Sequence, residues 1–289
     1  MSISEKHVTN DLIANILPSR SVSSRKGQNG TVAIIGGSRH YHGAPILSAA
    51  AAMRAGSDLV YLMVPKVISI PVRSFSPNFI VIPLPDDKLT LGCANKIMKW
   101  LPDVDSVVLG CGLGIQKTDG LKKLIVDLSS QDINIVLDAG ALRQDVIKKI
   151  SQDNCVLTPH AGEFKRIFGF EPNSNMDTRI NDVRTKSNEL GCTILLKGSH
   201  DIISNGTDCF INKTGNSSMT VGGTGDILSG LIASFLSKSM SSFNSAIAGA
   251  YINGLAGEMV TSKLGYHIFP TDIIDELPFI LKSFDKYCD

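Results

Sequence analysis

Several signatures of common protein classes are missing from this sequence of 289 residues. Its six cysteines contain no Cys-x-x-Cys pair, so we expect reduced, buried thiols rather than a disulfide or zinc framework. Neither a G-x-x-x-x-G-K-S/T loop nor a G-x-G-x-x-G fingerprint occurs, although residues 110–114 (GCGLG) come within one position of the latter. Any nucleotide site must therefore differ from the P-loop and Rossmann types.

The sequence also lacks an excess of charge of either sign and any long apolar run. The formal net charge is +1, which gives no global attraction to nucleic acid or to an anionic membrane. No stretch reaches the roughly 20 apolar residues that span a bilayer. Residues 1–24 contain no signal-peptide hydrophobic region. We therefore expect a cytoplasmic protein that binds neither membrane nor nucleic acid and holds any anion in a local site.

What the sequence does contain is an alternation of short β-branched runs with longer helical patterns. This alternation is typical of βαβ units built around a mostly parallel sheet. The predicted strands are residues 31–35, 59–64, 106–109, 133–137, 155–157 and 193–196. Each runs directly into small, polar or charged residues or a proline. Because ligands bind outside the carboxyl ends of the strands in such sheets, we expect the functional residues to converge there.

The pattern changes late in the chain. Residues 201–204 and 208–212 flank residues 205–207 (NGT), and Asn-Gly readily supplies the positive φ angles of a tight hairpin turn. An antiparallel hairpin added to the edge of a parallel sheet would fit this pattern. Two helices, one from residue 227 onward and one over residues 244–264, complete the predicted fold. No internal repeat or long linker requires a second domain.

The strongest local signal is residues 222–226 (GGTGD), directly before an apolar helical run. Glycines let the backbone approach a ligand closely, and the free N–H groups of a helix start bind phosphate. Asp226 beside such an anion could accept the proton of a substrate hydroxyl that attacks phosphorus. The alternative is that Asp226 only caps the helix, although capping does not explain the glycines before it.

Two other strand ends carry ionisable residues. In residues 197–201 (KGSHD), Lys197 could pair with a phosphate, or the segment could be an ordinary surface turn. In residues 158–163 (TPHAGE), His160 could bind substrate and Glu163 could hold a water on magnesium. The alternative is that both residues belong to a helix start, where Glu is favoured. Spacing alone does not separate these interpretations.

Taken in order, the motifs resemble those of the NAD(P)H-hydrate dehydratases of the ribokinase-like superfamily. The resemblance begins at residues 26–30 (KGQNG), 35–38 (IGGS) and 43–45 (GAP). It continues through residues 110–114, 137–142 (LDAGAL), 157–164 (LTPHAGEF), 196–198 (LKG) and 222–226. The ordered set covers nearly the whole chain from residue 26, and it is far more specific than any single motif.

The resemblance implies a three-layer αβα sandwich and a metabolite-repair activity. Family members act on NADH or NADPH hydrate, in which a hydroxyl on C6 of the nicotinamide ring abolishes redox function. They phosphorylate that hydroxyl from ADP or ATP, with Mg2+ as cofactor, and then eliminate phosphate. Phosphorylation is chemically reasonable because hydroxide is a poor leaving group and phosphate a good one.

The resemblance also implies roles for individual residues. Asp226 corresponds to the catalytic base and Glu163 to a position that helps to hold magnesium. The substrate-binding positions would be Ala44, Gly112, His160 and Asp226. The anion hole would be Gly223, Thr224 and Gly225. The nucleotide-binding positions would be Lys197, Gly198, Ser199, His200, Asp201 and Gly225.

Some features depart from the family pattern or bear on finer properties. Cys111 stands where most members have proline, and Asp201 is typical of ATP-using members, whereas residues 159–163 and 223–225 are typical of ADP-using ones; we favour ADP. We expect residues 1–25 to be an N-terminal extension and residues 26–289 to be a single domain. The extension is too short for the epimerase domain fused to many members, so, if epimerisation is needed, a separate protein must carry it out. Family habit also implies a homo-oligomer, most often a tetramer.

Two rival functions remain open at the sequence level. The first is a ribokinase-like small-molecule kinase acting on a hydroxymethyl-pyrimidine or hydroxyethyl-thiazole type of alcohol, which would share the glycine loop and Asp226. The motifs at residues 138–142 and 158–163 favour the dehydratase. The second is a nucleotide-binding protein without turnover, against which the retained Asp226 argues.

Overall fold

The computed structural model describes residues 6–114, 117–150 and 153–289. Its main sheet has ten strands in the order β1-β11-β10-β9-β8-β7-β6-β3-β4-β5. The strands of the chain are β1 (Lys6–His7), β2 (Arg20–Ser21), β3 (Thr31–Ile35), β4 (Leu59–Pro65), β5 (Ile80–Leu84), β6 (Ser106–Leu109), β7 (Asn134–Leu137), β8 (Cys155–Leu157), β9 (Thr193–Leu196), β10 (Asp201–Ser204), β11 (Cys209–Asn212) and β12 (Tyr287–Cys288). The short β2 and β12 pair with each other in a second, two-stranded sheet.

Helices cover both faces of the main sheet. They are α1 (Asn10–Ile16), α2 (Gly43–Arg54), α3 (Lys66–Phe75), α4 (Leu91–Trp100), α5 (Asp119–Ser129), α6 (Gln144–Ile147), α7 (Ala161–Phe168), α8 (Met176–Leu190), α9 (Thr224–Leu236), α10 (Ser242–Leu264) and α11 (Pro270–Leu281). Short 3-10 turns cover Ala139–Ala141, Ser217–Thr220 and Lys282–Phe284. None of the helices in the described parts of the chain is long and apolar enough to cross a bilayer.

Two hydrophobic cores lie on opposite faces of the sheet, because successive side chains of a strand point in opposite directions. In β3, Val32 and Ile34 belong to the core beneath α2, α9 and α10, whereas Ala33 and Ile35 belong to the core beneath α4 and α5. All five residues of β3 are buried, as expected for a central parallel strand covered on both faces. The fold is therefore the three-layer α/β sandwich expected from the sequence.

The late hairpin is also confirmed. Strand β10 pairs antiparallel with both β9 and β11, while the strands from β5 across to β9 are parallel. Gly206 at the turn has φ +92°, a conformation that glycine adopts without a Cβ clash. The hairpin extends the sheet beyond β9, the strand that ends at Lys197.

Part of the predicted N-terminal extension packs against the rest of the chain. Strand β1 pairs parallel with β11, and Ile13 of α1 is fully buried in the core beneath α10. Residues 1–5 lie outside the described residues. The boundary at residue 25 stays a prediction.

Candidate active site

The site is built where the strand order reverses. Strands β4 and β5 lie on one side of β3, and β6 to β9 lie on the other. The chain therefore continues toward opposite edges of the sheet after β3 and after β6, although these two strands are parallel neighbours. Such a switch point opens a crevice at the carboxyl ends of the strands. At this edge the loop after β3 lies against the loop after β6, since a Cβ on Gly36 would be 2.2 Å from the carbonyl oxygen of Cys111. Only glycine permits that approach.

A second close contact joins the loops after β6 and β7. Gly110 has φ +118°, and a Cβ there would lie 1.9 Å from the carbonyl oxygen of Asp138. Ala139, the next residue, has φ +46°, which is uncommon for a residue with a side chain. The loop after β6 therefore packs directly against the backbone of Asp138.

Asp226 lies in the first turn of α9, as predicted, and it does not cap the helix. The N-cap is Gly223, with φ +118°, and no side chain of the described residues makes the capping hydrogen bond there. Asp226 is the third residue of the helix, so the alternative of a simple N-cap is wrong. Thr224 Oγ1 donates to the carbonyl oxygen of Met219 at 3.0 Å, which holds the loop before the helix in place.

A buried ion-pair cluster adjoins this helix start. Lys197 Nζ lies 3.1 Å from Asp138 Oδ1 and 3.7 Å from Glu163 Oε2. A Cβ on Gly225 would lie 3.3 Å from the same Nζ, so the ammonium group sits directly beside α9. Asp138 is only 2% exposed and also accepts a hydrogen bond from Thr158 Oγ1 at 2.8 Å. The cluster therefore fixes a cation beside the proposed anion hole.

The electrostatic environment raises the pKa of the Asp226 carboxyl group to about 7. Burial is the largest cause, and the negative charges of Asp138 and Glu163 add to it, while Lys197 opposes them. For Lys197, burial by itself would lower the pKa, but Asp138 and Glu163 outweigh it and the pKa is raised. At neutral pH the lysine is therefore charged, and the aspartate is poised between its two protonation states, as suits a general base.

His160 and Glu163 form a helix start, the second of the two interpretations left open by the sequence. His160 Nδ1 accepts from the N–H groups of Gly162 (3.0 Å) and Glu163 (3.3 Å), and Glu163 Oε2 accepts from His160 N–H at 3.0 Å. This capping box does not exclude a second role, because the His160 side chain remains 60% exposed. Its assignment to substrate binding stays a prediction.

The residues that the structure describes form no magnesium site made of protein ligands alone. Among them, no group of three His, Cys, Asp or Glu side chains could hold a metal ion. Glu163 already accepts a backbone N–H group and faces Lys197 and Arg166, at 3.7 Å and 3.8 Å. Its assignment to magnesium stays a prediction.

A cavity of about 550 Å3 opens beside the ion-pair cluster, between the late hairpin, α9 and α10. Its lining includes six residues of the predicted nucleotide site and anion hole, namely Lys197, Gly198, Ser199, Asp201, Thr224 and Gly225. His200, Gly223 and Asp226 are not in the lining, and neither are the predicted substrate positions Ala44, Gly112 and His160. The structure thus gathers most of the predicted nucleotide site in one cavity.

Asp201 shapes the edge of this cavity. Its Oδ1 accepts from the N–H of Gly198 at 3.0 Å, and its Oδ2 accepts from Asn212 Nδ2 at 3.1 Å. Burial raises the pKa of Asp201 to about 6, although these hydrogen bonds act in the opposite direction. Both carboxylate oxygens thus hold the turn after β9 against the hairpin.

The predicted substrate positions Ala44 and Gly112 meet at the switch point. Gly112 has φ +66°, and a Cβ there would lie 3.0 Å from the Cβ of Ala44 and 2.6 Å from the carbonyl oxygen of Tyr41. This packing joins the start of α2 to the loop after β6. It agrees with the predicted grouping of the two residues without testing their role.

Sequence reasoning missed several residues of the site. It assigned no site role to Asp138 or Thr158, although both stand at strand ends, where such residues are expected. It also missed the cavity wall formed by residues 214–217 and by Asn253. No local motif marks these positions.

Known proteins share this architecture and sequence. A family model described as NAD(P)H-hydrate dehydratase matches residues 32–279. The ADP-dependent (S)-NAD(P)H-hydrate dehydratase of Nitrosopumilus maritimus (strain SCM1) is 49% identical over 285 residues, covering 98% of this chain and 99% of the relative.

Two solved structures extend the comparison to the fold. A ribokinase-like superfamily protein of Enterococcus faecalis V583 superposes with a TM-score of 0.80 at 26% identity, covering 98% and 97% of the two chains. A Bacillus subtilis ADP/ATP-dependent NAD(P)H-hydrate dehydratase, co-crystallised with ATP/Mg2+, gives a TM-score of 0.85 at 24% identity, covering 98% and 100%. The ribokinase-like fold predicted from the sequence is confirmed.

Proposed function

This chain belongs to the NAD(P)H-hydrate dehydratase family, and we propose that it converts the S form of NADH or NADPH hydrate back to NAD(P)H with ADP as phosphoryl donor. The reaction yields AMP and inorganic phosphate. The observation that carries the proposal is the position of Asp226. Its carboxyl group, with a pKa of about 7, lies in the first turn of α9, three residues after the glycine N-cap and directly after Gly225, which lines the nucleotide cavity.

The residues of the site suit each proton and phosphoryl transfer. Asp226 takes the proton of the C6 hydroxyl, and the oxygen then attacks the terminal phosphorus of ADP, releasing AMP. Amide groups at the start of α9 and the ammonium group of Lys197 stabilise the charge on the transferring phosphoryl group. The C6–O bond of the phosphate ester then breaks and releases phosphate, which takes up the proton lost from C5 as the ring double bond is restored. The protein supplies positioning and electrostatic stabilisation.

The nucleotide and the hydrate would reach Asp226 from different sides. The cavity lined by Lys197 and Gly225 is assigned to ADP, with its phosphates toward α9. The contact between Ala44 and Gly112 lies at the switch point, and neither residue lines the nucleotide cavity. We assign that side to the nicotinamide hydrate. Magnesium would enter with the nucleotide, because Mg2+ commonly binds through phosphates and few protein ligands.

The direct test is conversion of purified NADH hydrate by the protein with ADP or with ATP, each with and without Mg2+. Recovery of absorbance at 340 nm, with one AMP and one phosphate per NADH formed, is the expected result with ADP. Asp226→Asn should lower turnover by orders of magnitude and retain nucleotide binding, whereas Asp177→Asn, an exposed aspartate in the first turn of α8, should not. Formation of a stable phospho-alcohol from a pyrimidine or thiazole substrate, without recovery at 340 nm, would instead establish the kinase.

Two further parts of the proposal concern partners. We propose a homo-oligomer, most simply a tetramer, which light scattering of the purified protein would measure. Because the proposed enzyme acts only on the S form, repair of the R form needs an epimerase activity that converts R to S. A mixture of both forms should therefore be repaired only in part until an epimerase is added.

A further inference from the structure

One wall of the nucleotide cavity is an irregular loop between β11 and α9. Residues 214–217, together with Met219 and Thr220, line the cavity from this loop. Within this described segment, the short 3-10 turn Ser217–Thr220 is the only regular element. Gly215 has φ +101°, a conformation that residues with a side chain rarely adopt. Contacts from elsewhere in the chain must therefore hold this wall in place.

Helix α10 supplies such contacts from one face, because residues three and four apart on a helix are neighbours on its surface. A Cβ on Gly254 would collide with Thr214 Oγ1, and a Cβ on Gly257 would collide with Met219 Sδ. Thr214 Oγ1 also donates to the carbonyl oxygen of Tyr251 at 3.1 Å. The loop therefore packs directly on the backbone of α10 at two glycines.

Glu258, four residues after Gly254, adds a carboxylate to this contact. Its Oε1 accepts a hydrogen bond from the N–H of Gly215 at 2.9 Å. Hydrogen bonds to an ionised acceptor are about twice as strong as those between neutral groups. The bond fixes the loop at a glycine, where the backbone has the most conformational freedom. Glu258 is not among the described residues that line the cavity, so it can act on a nucleotide only through the loop.

The loop is also joined to the proposed phosphate site. The carbonyl oxygen of Met219 accepts from Thr224 Oγ1 at 3.0 Å, and Thr224 is the first residue of α9. Thr224 and Gly225 line the same cavity as the loop. Because a binding site works only when neighbouring elements hold its groups in place, a displaced loop would alter the nucleotide site as a whole.

We propose that Glu258 is a positioning residue for the nucleotide: by holding Gly215, it keeps the cavity wall in the conformation that binds ADP. Glu258 makes no contact with the nucleotide in this account, and its acceptor oxygen matters more than its charge. The inference rests on the proposed assignment of this cavity to ADP. It predicts a loss of ADP affinity with little effect on the hydrate, which we assign to the other side of Asp226.

Two substitutions separate the hydrogen bond from the rest of the side chain. Glu258→Gln keeps an acceptor oxygen, whereas Glu258→Met has a similar length and lacks that oxygen. In titration calorimetry the Met variant should bind ADP about tenfold more weakly than the unmodified protein, and the Gln variant should stay within about threefold. The control Glu189→Met, at an exposed position of α8, should leave the affinity unchanged. Unchanged affinity in Glu258→Met, or equal losses in its Gln and Met variants, would overturn the proposal.

Steady-state kinetics add a readout that a general loss of stability would not move. In Glu258→Met the KM for ADP should rise about tenfold while the KM for NADH hydrate stays within about twofold. Equal increases in both constants would refute a role confined to the nucleotide wall. If this variant does not fold, Thr214→Val removes the bond from the same loop to Tyr251 and should produce the same selective loss. If the unmodified protein binds no ADP, the assignment of the cavity fails, and the proposed function fails with it.

Discussion

Replacing Asp226 with asparagine should abolish turnover and, at neutral pH, make the protein more stable. The carboxyl group is held in surroundings that raise its pKa from 3.8 to about 7, mainly through burial. A folded-state pKa above the unfolded value means that ionisation is easier in the unfolded chain. The group therefore costs stability once the pH exceeds about 4, and the full cost is present above about pH 7.

The size of this cost follows from the shift. About three pKa units at 1.36 kcal/mol each give an upper limit of about 4 kcal/mol above pH 7. We expect Asp226→Asn to recover about 1–3 kcal/mol, because the ionised carboxylate can relax toward Lys197 and water. The neutral amide has nearly the same shape and no such charge. The proposed catalytic base is thus a local source of instability.

Urea unfolding of the variant and the parent protein at pH 5 and at pH 8 provides the measurement. The stability gained by Asp226→Asn should be larger at pH 8, where the parent carboxyl group is ionised in both states. Asp177→Asn should instead lower the free energy of unfolding by a few tenths of a kcal/mol or more, because a negative charge in the first turn of a helix interacts favourably with the helix dipole. A variant no more stable than the parent at pH 8, or a gain independent of pH, would refute the argument that burial dominates at this site.

Three further predictions test the surrounding cluster. The kcat/KM should rise with pH through about 7 as Asp226 loses its proton, and a flat profile from pH 5.5 to 8.5 would contradict its role as base. Lys197→Met should destabilise the protein by about 3 kcal/mol in urea unfolding, because it leaves buried carboxylates unpaired. The control Lys6→Met breaks an exposed ion pair and should cost about 1 kcal/mol or less. Gly110→Ala should cost about 3 kcal/mol or more, measured by thermal unfolding. Gly169→Ala should cost about 1 kcal/mol, because Gly169 has a positive φ but open space around it. Equal costs for the two variants would show that backbone strain, and not the steric clash, sets the loss of stability at Gly110.

The motifs of the site were recognisable because each is local. The glycine loop at residues 222–226 indicates an anion site because its glycines determine the conformation and accessibility of their own backbone N–H groups. The Asn-Gly turn likewise indicates the hairpin, and Gly206 has the positive φ that such a turn requires. Alternating apolar runs likewise gave the strands, to within a residue for residues 133–137, where β7 begins at Asn134.

The sequence left open every question that depends on distant neighbours. Whether Asp226 caps its helix could be decided only when the N-cap proved to be Gly223. The partner of Lys197 is Asp138, 59 residues away, and the order of the strands brings the two together. No periodicity marks such a pair.

What the sequence by itself determined is therefore six of the parallel strands, the late hairpin and the glycine-rich ends of the strands, since these follow from interactions within a few residues; it did not indicate β1, β2, β5 or β12. Only the tertiary structure decided the raised pKa of Asp226 and left the oxygen of Asn253 without a partner among the described residues. Desolvation sums over all surrounding elements, and hydrogen-bond satisfaction depends on groups far apart in the chain. Both are properties of the packed molecule.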